Sequence, residues 1–305
     1  MLELNKIYLG DCLEVMEKID NKSISLDIID SPYNIGIADW DKITNYIEWM
    51  LLVFKECERT LKDNGSLYWF HNDMPQAIRL MKVIEDNTLL KFKQMIVWDK
   101  FNGTPNGYKG KNAKYNNQKN YAKCAEYCFF YTFDESFIKV KNYLSSERKN
   151  IKESLTWINK NLLGYTNGKD GMAGNILSVN KKGWSFPTKE QYTKLQSSGY
   201  FKKDYEKLNN EYEIAKCTFN NINVPSVWQF PPEPPNGHIT PKPLKLIDRI
   251  INTSSNEGDT ILDCFMGSGT TGLSSLKNKR NFIGIEKNEQ YYNLACDRIE
   301  KFKIS

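Results

Sequence analysis

The sequence predicts an α/β protein: a doubly wound, mainly parallel sheet with an inserted, smaller, largely helical region. Three observations predict it. Over residues 1–133, short apolar runs alternate with segments of helical period, the mark of strands joined by crossover helices. Residues 134–225 then turn polar and rich in Lys and Asn. Near the end, DTILDCFMGSGTTGLSSLKNKRNFIGIE reads as strand, glycine turn, helix and strand.

Taken in order, IYL (7–9) and SLDIID (25–30) are strands, and LEVMEKI between them is a short amphipathic helix. Residues 44–62 place Ile47, Met50, Leu51, Phe54 and Leu61 at helical spacing, with Asp63-Asn64-Gly65 as the stop. SLYWF (66–70) is a strand. PQAIRLMKVIED (75–86) is a helix that Pro75 can start. FKQMIVWD (92–99) and AEYCFFYTF (125–133) are strands. Inside 134–225, SLTWINKNLL and TKEQYTKLQSSGYFKKDYEKLNNEYEIA carry short helical patterns. VPSVWQFPPEPPNGHITPKP (224–243) holds seven prolines, is not regular throughout, and reads as the return crossing. PLKLIDRIINTSS and QYYNLACDRIEKF are the last helices outside the glycine-turn unit. The domain division is therefore 1–133, 134–225 and 226–305.

The chain has 305 residues, 40% of them hydrophobic, enough to bury a core. No run of 18 apolar residues suggests a membrane span. The start, MLELNKIYLGDCLE, has no apolar run behind a basic segment, so no secretory signal is expected. Seven scattered cysteines, without C-x-x-C and with only two histidines, argue against disulfides or a metal site and fit a reducing cytoplasm. The net charge of +5 is unevenly spread: residues 101–123 hold five lysines and no acid. Residues 139–216 hold 15 Lys and Arg against 8 Asp and Glu. The basic middle is what a polyanion-facing surface requires, although solvated lysine-rich faces would read alike.

Two stretches carry chemistry. IIDSPYNIG (28–36) runs a buried strand into Asp30-Ser31-Pro32-Tyr33, and strand exits are where open α/β sheets bind ligands. Gly267-Ser268-Gly269-Thr270-Thr271-Gly272 is a literal G-x-G-x-x-G after a strand, with Glu286 ending the next strand where a carboxylate can hold ribose hydroxyls. A nicotinamide dehydrogenase would use the same loop. Against it, only 33 residues follow Gly272, too few for the rest of a dinucleotide domain. A P-loop is excluded because no Lys follows the glycines.

Together, DSPYN (30–34), HITPKP (238–243) and DCFMGSGTTG (263–272) resemble the amino-group DNA methyltransferases of the permuted β arrangement. The resemblance implies a Rossmann-like methyltransferase fold with circularly permuted motif order. The catalytic half comes first, a target recognition region sits in 134–225, and the cofactor-binding half comes last. It implies S-adenosyl-L-methionine as cofactor and Asp30, Ser31, Pro32 and Tyr33 as the catalytic tetrad. The cofactor loop falls on Asp263, Phe265, Gly267, Ser268, Gly269 and Thr270, with Glu286 as the ribose acid. His238, Thr240, Lys242 and Pro243 form the segment beside the cofactor, and Gly10-Asp11 resembles the element that contacts its adenine.

The adenine branch of this family usually shows Asp-Pro-Pro-Tyr and the cytosine-N4 branch Ser-Pro-Pro-Tyr. Asp30 at the first position favours adenine N6; Ser31 departs from both. Carbon-5 cytosine methylation uses a cysteine after proline, and no Pro-Cys occurs. Lys109, Lys111, Lys114, Lys119, Lys123, Lys181 and Lys182 are the expected DNA contacts, with base flipping before transfer. The expected partner is double-stranded DNA, with a cognate restriction endonuclease where the gene sits in a restriction–modification pair; monomer and homodimer stay open. DNA cytosine-N4 methylation on the same fold is the alternative, an inactive DNA-binding module the competing class, and RNA or a protein amide a competing substrate. Trp40 stands between lining the target pocket and packing. His71 reads as structural, and Trp98 as a strand residue at the edge of the site.

Overall fold

The computed structural model describes residues 2–36, 39–100, 124–133, 137–166, 171–179, 183–215, 217–220, 223–235, 237–238 and 240–304. The chain divides into two compact units, Met1–Phe133 with Cys217–Ser305, and Asp134–Lys216. No described helix is long and apolar enough to cross a membrane.

The first unit begins with β1 (Lys6–Leu9), α1 (Cys12–Met16), β2 (Ile24–Ile29), α2 (Tyr46–Thr60) and β3 (Leu61–His71). It continues with α3 (Met74–Asn87), β4 (Leu90–Asp99) and β5 (Ala125–Phe133). The second unit holds α4 (Ile138–Lys149), α5 (Leu155–Trp157) running into a π-helical segment Ile158–Leu162, α6 (Gly171–Leu177), α7 (Lys189–Gln196) and α8 (Tyr205–Ala215). The first unit then resumes with β6 (Val227–Gln229), α9 (Leu244–Ser254), β7 (Thr260–Asp263), α10 (Thr270–Lys277), β8 (Asn281–Glu286) and α11 (Glu289–Ile304).

Among the described residues, eight strands form one sheet in the order β1-β8-β7-β2-β3-β5-β4-β6. Every pairing is parallel except those of β5, which runs antiparallel to β3 and β4. Alternation along the strands splits the core. Leu67 and Trp69 of β3 face one layer with Phe54 of α2 and Leu80 of α3. Tyr68 and Phe70 face the other with Ile250 of α9 and Ile299 of α11. The second unit has its own core, with Leu144, Ile158, Ile176, Tyr192, Leu195 and Leu208 buried.

The decisive feature is where the strand order reverses. From β2 the sheet grows one way through β3; from β7 it grows the other way through β8 and β1. β2 and β7 pair directly, Leu26 with Ile261 and Asp27 with Leu262. Their carboxyl ends therefore lie about one strand spacing apart, and the crevice at such a switch point is where open sheets bind ligands. This brings residues 30 and 267 together although most of the chain separates them.

One local expectation is corrected, and two details are added to others. The Asp63-Asn64-Gly65 stretch is not the helix stop: α2 ends at Thr60, and Leu61 is already extended and pairs with Ile24. The ladder resumes at Leu26 with Ser66, so residues 62–65 bulge out of β3. The proline-rich crossing contains a three-residue edge strand, β6, in register with Val97–Asp99; an edge position tolerates the flanking prolines. Residues from Cys217 onward belong to the compact unit that holds the sheet. Cys217 meets Ser66 Oγ at 3.2 Å, Phe219 stacks on Phe130, and Val224 packs on the same apolar layer.

Candidate active site

β7 delivers Asp263 into the crevice, and the glycine loop follows it. Gly267 has φ 53° and Gly269 φ 80°, left-handed conformations that favour glycine. A Cβ on Gly269 would lie 2.9 Å from Ala295 Cβ, and one on Gly267 3.2 Å from His238 Nε2. Glycine thus serves two ends: it allows the turn and it lets α11 and the 237–243 segment close in. Glu286 Oε2 accepts the Gly267 N–H at 2.7 Å, and Oε1 accepts that of Asn288 at 2.7 Å. Asp263 Oδ1 accepts the Phe265 N–H at 2.9 Å, and burial pushes its carboxyl up to about 7. Ser268 and Thr270 hydroxyls meet at 3.2 Å, and Arg298 donates to the Ser268 carbonyl. Asp11 caps α1 through the Leu13 N–H at 3.0 Å and pairs with Lys287 at 3.1 Å. His238 accepts the Thr240 N–H at 3.2 Å and lies 4.3 Å from the Tyr291 ring.

β2 delivers Asp30 beside that loop. Asp30 Oδ1 accepts the Tyr33 hydroxyl at 2.9 Å and Oδ2 the Lys242 ammonium at 2.6 Å. Burial first, then Asp30, push the Tyr33 phenol far above its usual range, so it stays a donor. Behind the tetrad runs a hydrogen-bonded chain. The Asp73 N–H donates to His71 Nδ1 at 3.0 Å, which leaves the neutral ring its proton on Nε2. That nitrogen is 3.3 Å from the Tyr46 hydroxyl, which donates to the Pro32 carbonyl at 2.8 Å. Burial lowers His71 to about 4, and its ring stacks on Tyr33 at 4.8 Å. Asp41 holds the amides of Asn34 and Ile35 at 2.7 and 3.0 Å, which fixes the exit of the loop.

One cavity of about 810 Å³ takes in both ends. Asp11, Asp30, Ser31, Pro32, Tyr33, His238, Thr240, Lys242, Asp263, Phe265, Gly267, Ser268, Thr270 and Glu286 line it; Gly269 does not and acts behind the loop. Trp49, Asn72, Lys100, Glu126 and Tyr291 line it too and went unread in the sequence. Glu126 left a signal, a lone acid inside the apolar strand AEYCFFYTF. Trp98 does not line the cavity; its indole donates to the Phe230 carbonyl at 2.8 Å and its ring lies 5.9 Å from Lys242 Nζ. Lys109, Lys111, Lys114, Lys119, Lys123, Lys181 and Lys182 lie outside the described residues, as does the Trp40 side chain.

The family model for DNA methylases of the N6/N4 type matches residues 24–297. The chain belongs to the N6/N4 DNA methylase family. As a member it is an S-adenosylmethionine-dependent DNA methyltransferase that modifies a base amino group. The type II methyltransferase M1.MboII of Moraxella bovis is 30% identical over 100% of both chains. The DNA adenine methyltransferase YhdJ of Escherichia coli (strain K12) is 28% identical over 98% of this methylase and 83% of its own length. Two solved structures share the fold. The M1.HpyAVI–SAM complex has TM-score 0.54 at 20% identity, covering 96% of this methylase and 98% of that chain. The cytosine-N4-specific PvuII DNA methyltransferase has TM-score 0.56 at 17% identity, covering 98% and 90%.

Proposed function

We propose that this methylase modifies the N6 amino group of adenine in double-stranded DNA, at a site read by the inserted unit, after the base is flipped from the helix. The observation that carries the reading is Asp30: a carboxylate at the first tetrad position, opening into the cavity, with both oxygens fixed by Tyr33 and Lys242. The 28% likeness to an adenine methyltransferase supports the same branch.

The residues fit S-adenosylmethionine. The cavity volume lies within the roughly 300–1,000 Å³ typical of cofactor sites. Gly267 lines a cradle that a Cβ would narrow against His238, Gly269 lets the loop close on α11 behind it, and Glu286 keeps lone pairs free for ribose hydroxyls beyond its two amide bonds. Asp11, Phe265, His238, Thr240, Asp263, Ser268 and Thr270 would complete the holder. When bound, the sulfonium supplies an electrophilic methyl group.

An exocyclic amine is a poor nucleophile because its lone pair is delocalised into the ring. Asp30 accepts one N–H and the Ser31 carbonyl the other, which favours a pyramidal nitrogen with its lone pair available. Pro32 fixes that carbonyl through its ring and its hold on the preceding residue. Transfer to the amine, with the donor's carbon–sulfur bond breaking and its thioether leaving, would put positive charge on nitrogen beside the Asp30 carboxylate, which could take the surplus N–H proton. Tyr33 supplies stacking, worth roughly 1–3 kcal/mol per base. The lysines of 101–123, with Lys181 and Lys182, would meet phosphates, so DNA affinity falls steeply with salt.

The test is chemical. Unmethylated DNA incubated with the protein and S-adenosylmethionine is digested to nucleosides and weighed by mass spectrometry. N6-methyladenine is expected; N4-methylcytosine alone would overturn the adenine reading.

A further inference from the structure

Glu126 is an acid on a strand whose neighbours Tyr127, Cys128, Phe129 and Phe130 are hydrophobic. Its side chain is 8% exposed. Oε1 accepts from Lys100, and Oε2 lies 3.3 Å from Lys242 Nζ. Lys242, also 8% exposed, lies 2.6 Å from Asp30 Oδ2 and 3.3 Å from the Tyr33 hydroxyl. The rings of Tyr33, Phe70 and Trp98 surround the ammonium at 5.6, 5.1 and 5.9 Å. Two carboxylates thus flank one buried cation, and Asp30, at 25% exposure, is the more open of the two.

We propose that Lys242 and Glu126 are positioning residues of the transfer step: Lys242 aligns Asp30 and cancels the charge of the second carboxylate beside it, and Glu126 holds Lys242 in place. The inference rests on Asp30 being the acceptor for the target amine. Burial opposes the Lys242 charge, yet Asp30 and Glu126 hold the ammonium above its ordinary range. Burial likewise pushes Glu126 up, yet Lys242 and Lys100 bring its carboxyl below the ordinary range. Tyr33, Cys128, His71, His238 and Asp263 also lie within electrostatic reach of Asp30. Burial holds both histidines toward the neutral form, so neither replaces the lysine.

Removing the ammonium leaves two carboxylates near each other with only Lys100, on the other oxygen of Glu126, to offset them, which favours uptake of a proton. Removing Glu126 as well restores a single carboxylate. The experiment measures single-turnover methyl transfer from pH 6 to 9, and S-adenosylmethionine affinity by calorimetry, for wild type, Lys242→Met, Glu126→Gln and the double variant. Expected for Lys242→Met is a rate about 100-fold lower at pH 7 that recovers about tenfold by pH 9. The double variant regains about tenfold at pH 7 and loses that slope, while cofactor affinity stays within about threefold throughout. A loss in Lys242→Met that is independent of pH, absent, or matched by lost cofactor affinity would overturn the proposal. If Lys242→Met does not fold but the double variant does, the charge argument is upheld on stability; if neither folds, it fails. A wild type inactive on DNA would instead sink the reading of Asp30 itself.

Discussion

Around Gly267 and Gly269 the cavity is shaped by main chain; around Asp30 it is shaped by side chains from distant elements. The first end needs a strand, two residues at positive φ, the start of α10 and the amides that bind Glu286, all within residues 263–288. The second needs Asp30 after β2, Tyr46 on α2, His71 on β3, Lys100 after β4, Glu126 on β5 and Lys242 before α9. On the proposed reading, a local device holds a common cofactor. A device assembled by the whole sheet tunes one carboxylate. Variants at the two ends should therefore fail differently.

The largest separation is expected from Asp30→Ala. It removes the acceptor while leaving the glycine loop untouched. Tritiated-methyl transfer should fall on the order of 10³-fold, the scale of losing one preorganised electrostatic group. A loss under tenfold would mean the tetrad works without its carboxylate.

Gly269→Ala should strike the other end. Its Cβ would stand 2.9 Å from Ala295 Cβ at φ 80°. The strain is roughly 1–3 kcal/mol, visible as a lower denaturation midpoint. Calorimetry should show about tenfold weaker S-adenosylmethionine binding.

Protonation sharpens the contrast further, because burial acts on the two ends with opposite sign. Asp263 is raised to about 7, so its contribution to stability is complete below its unfolded pKa near 4 and is lost as pH rises through about 7. Asp263→Asn should flatten the melting temperature between about pH 4 and 7. His71 is lowered to about 4, so its contribution is present above its unfolded pKa near 6.5 and is lost as pH falls toward about 4. His71→Gln should flatten the acid side instead. Equal slopes in wild type and variant would remove these groups from the account.

The smallest effect is expected from Tyr46→Phe, which deletes one donor to the Pro32 carbonyl. Stability should drop by about 0.5–1.5 kcal/mol and the transfer rate by a few-fold, with cofactor affinity unchanged.

The same contrast explains what could be read in the chain. The glycine loop, Glu286 and the strands around them are contiguous, and their residue types have few structural uses in that order. Asp30 stood out because a buried run ends on it. His71 was read as structural, and Tyr46 went unread as a site residue, because their role is to carry a hydrogen bond from Asp73 to Pro32 across α2, β3 and the tetrad loop. Lys242 matched a motif that placed it beside the cofactor, while its ammonium reaches Asp30, 212 residues earlier in sequence. The bulge at 62–65 and the edge strand β6 escaped for a related cause. Turn residues in a strand and prolines at an edge speak only of local preference, and pairing partners decide.

The central claim is that one cavity has two separable ends, a carboxylate for the amine and a glycine loop for the methyl donor. The most direct measurement takes Asp30→Ala and Gly269→Ala side by side, recording cofactor affinity and single-turnover transfer at saturating cofactor on the same samples. Crossed losses are predicted: Asp30→Ala keeps its affinity within about threefold and loses its rate, while Gly269→Ala loses affinity and recovers most of its rate at saturation. Parallel losses in both quantities for both variants would contradict the account.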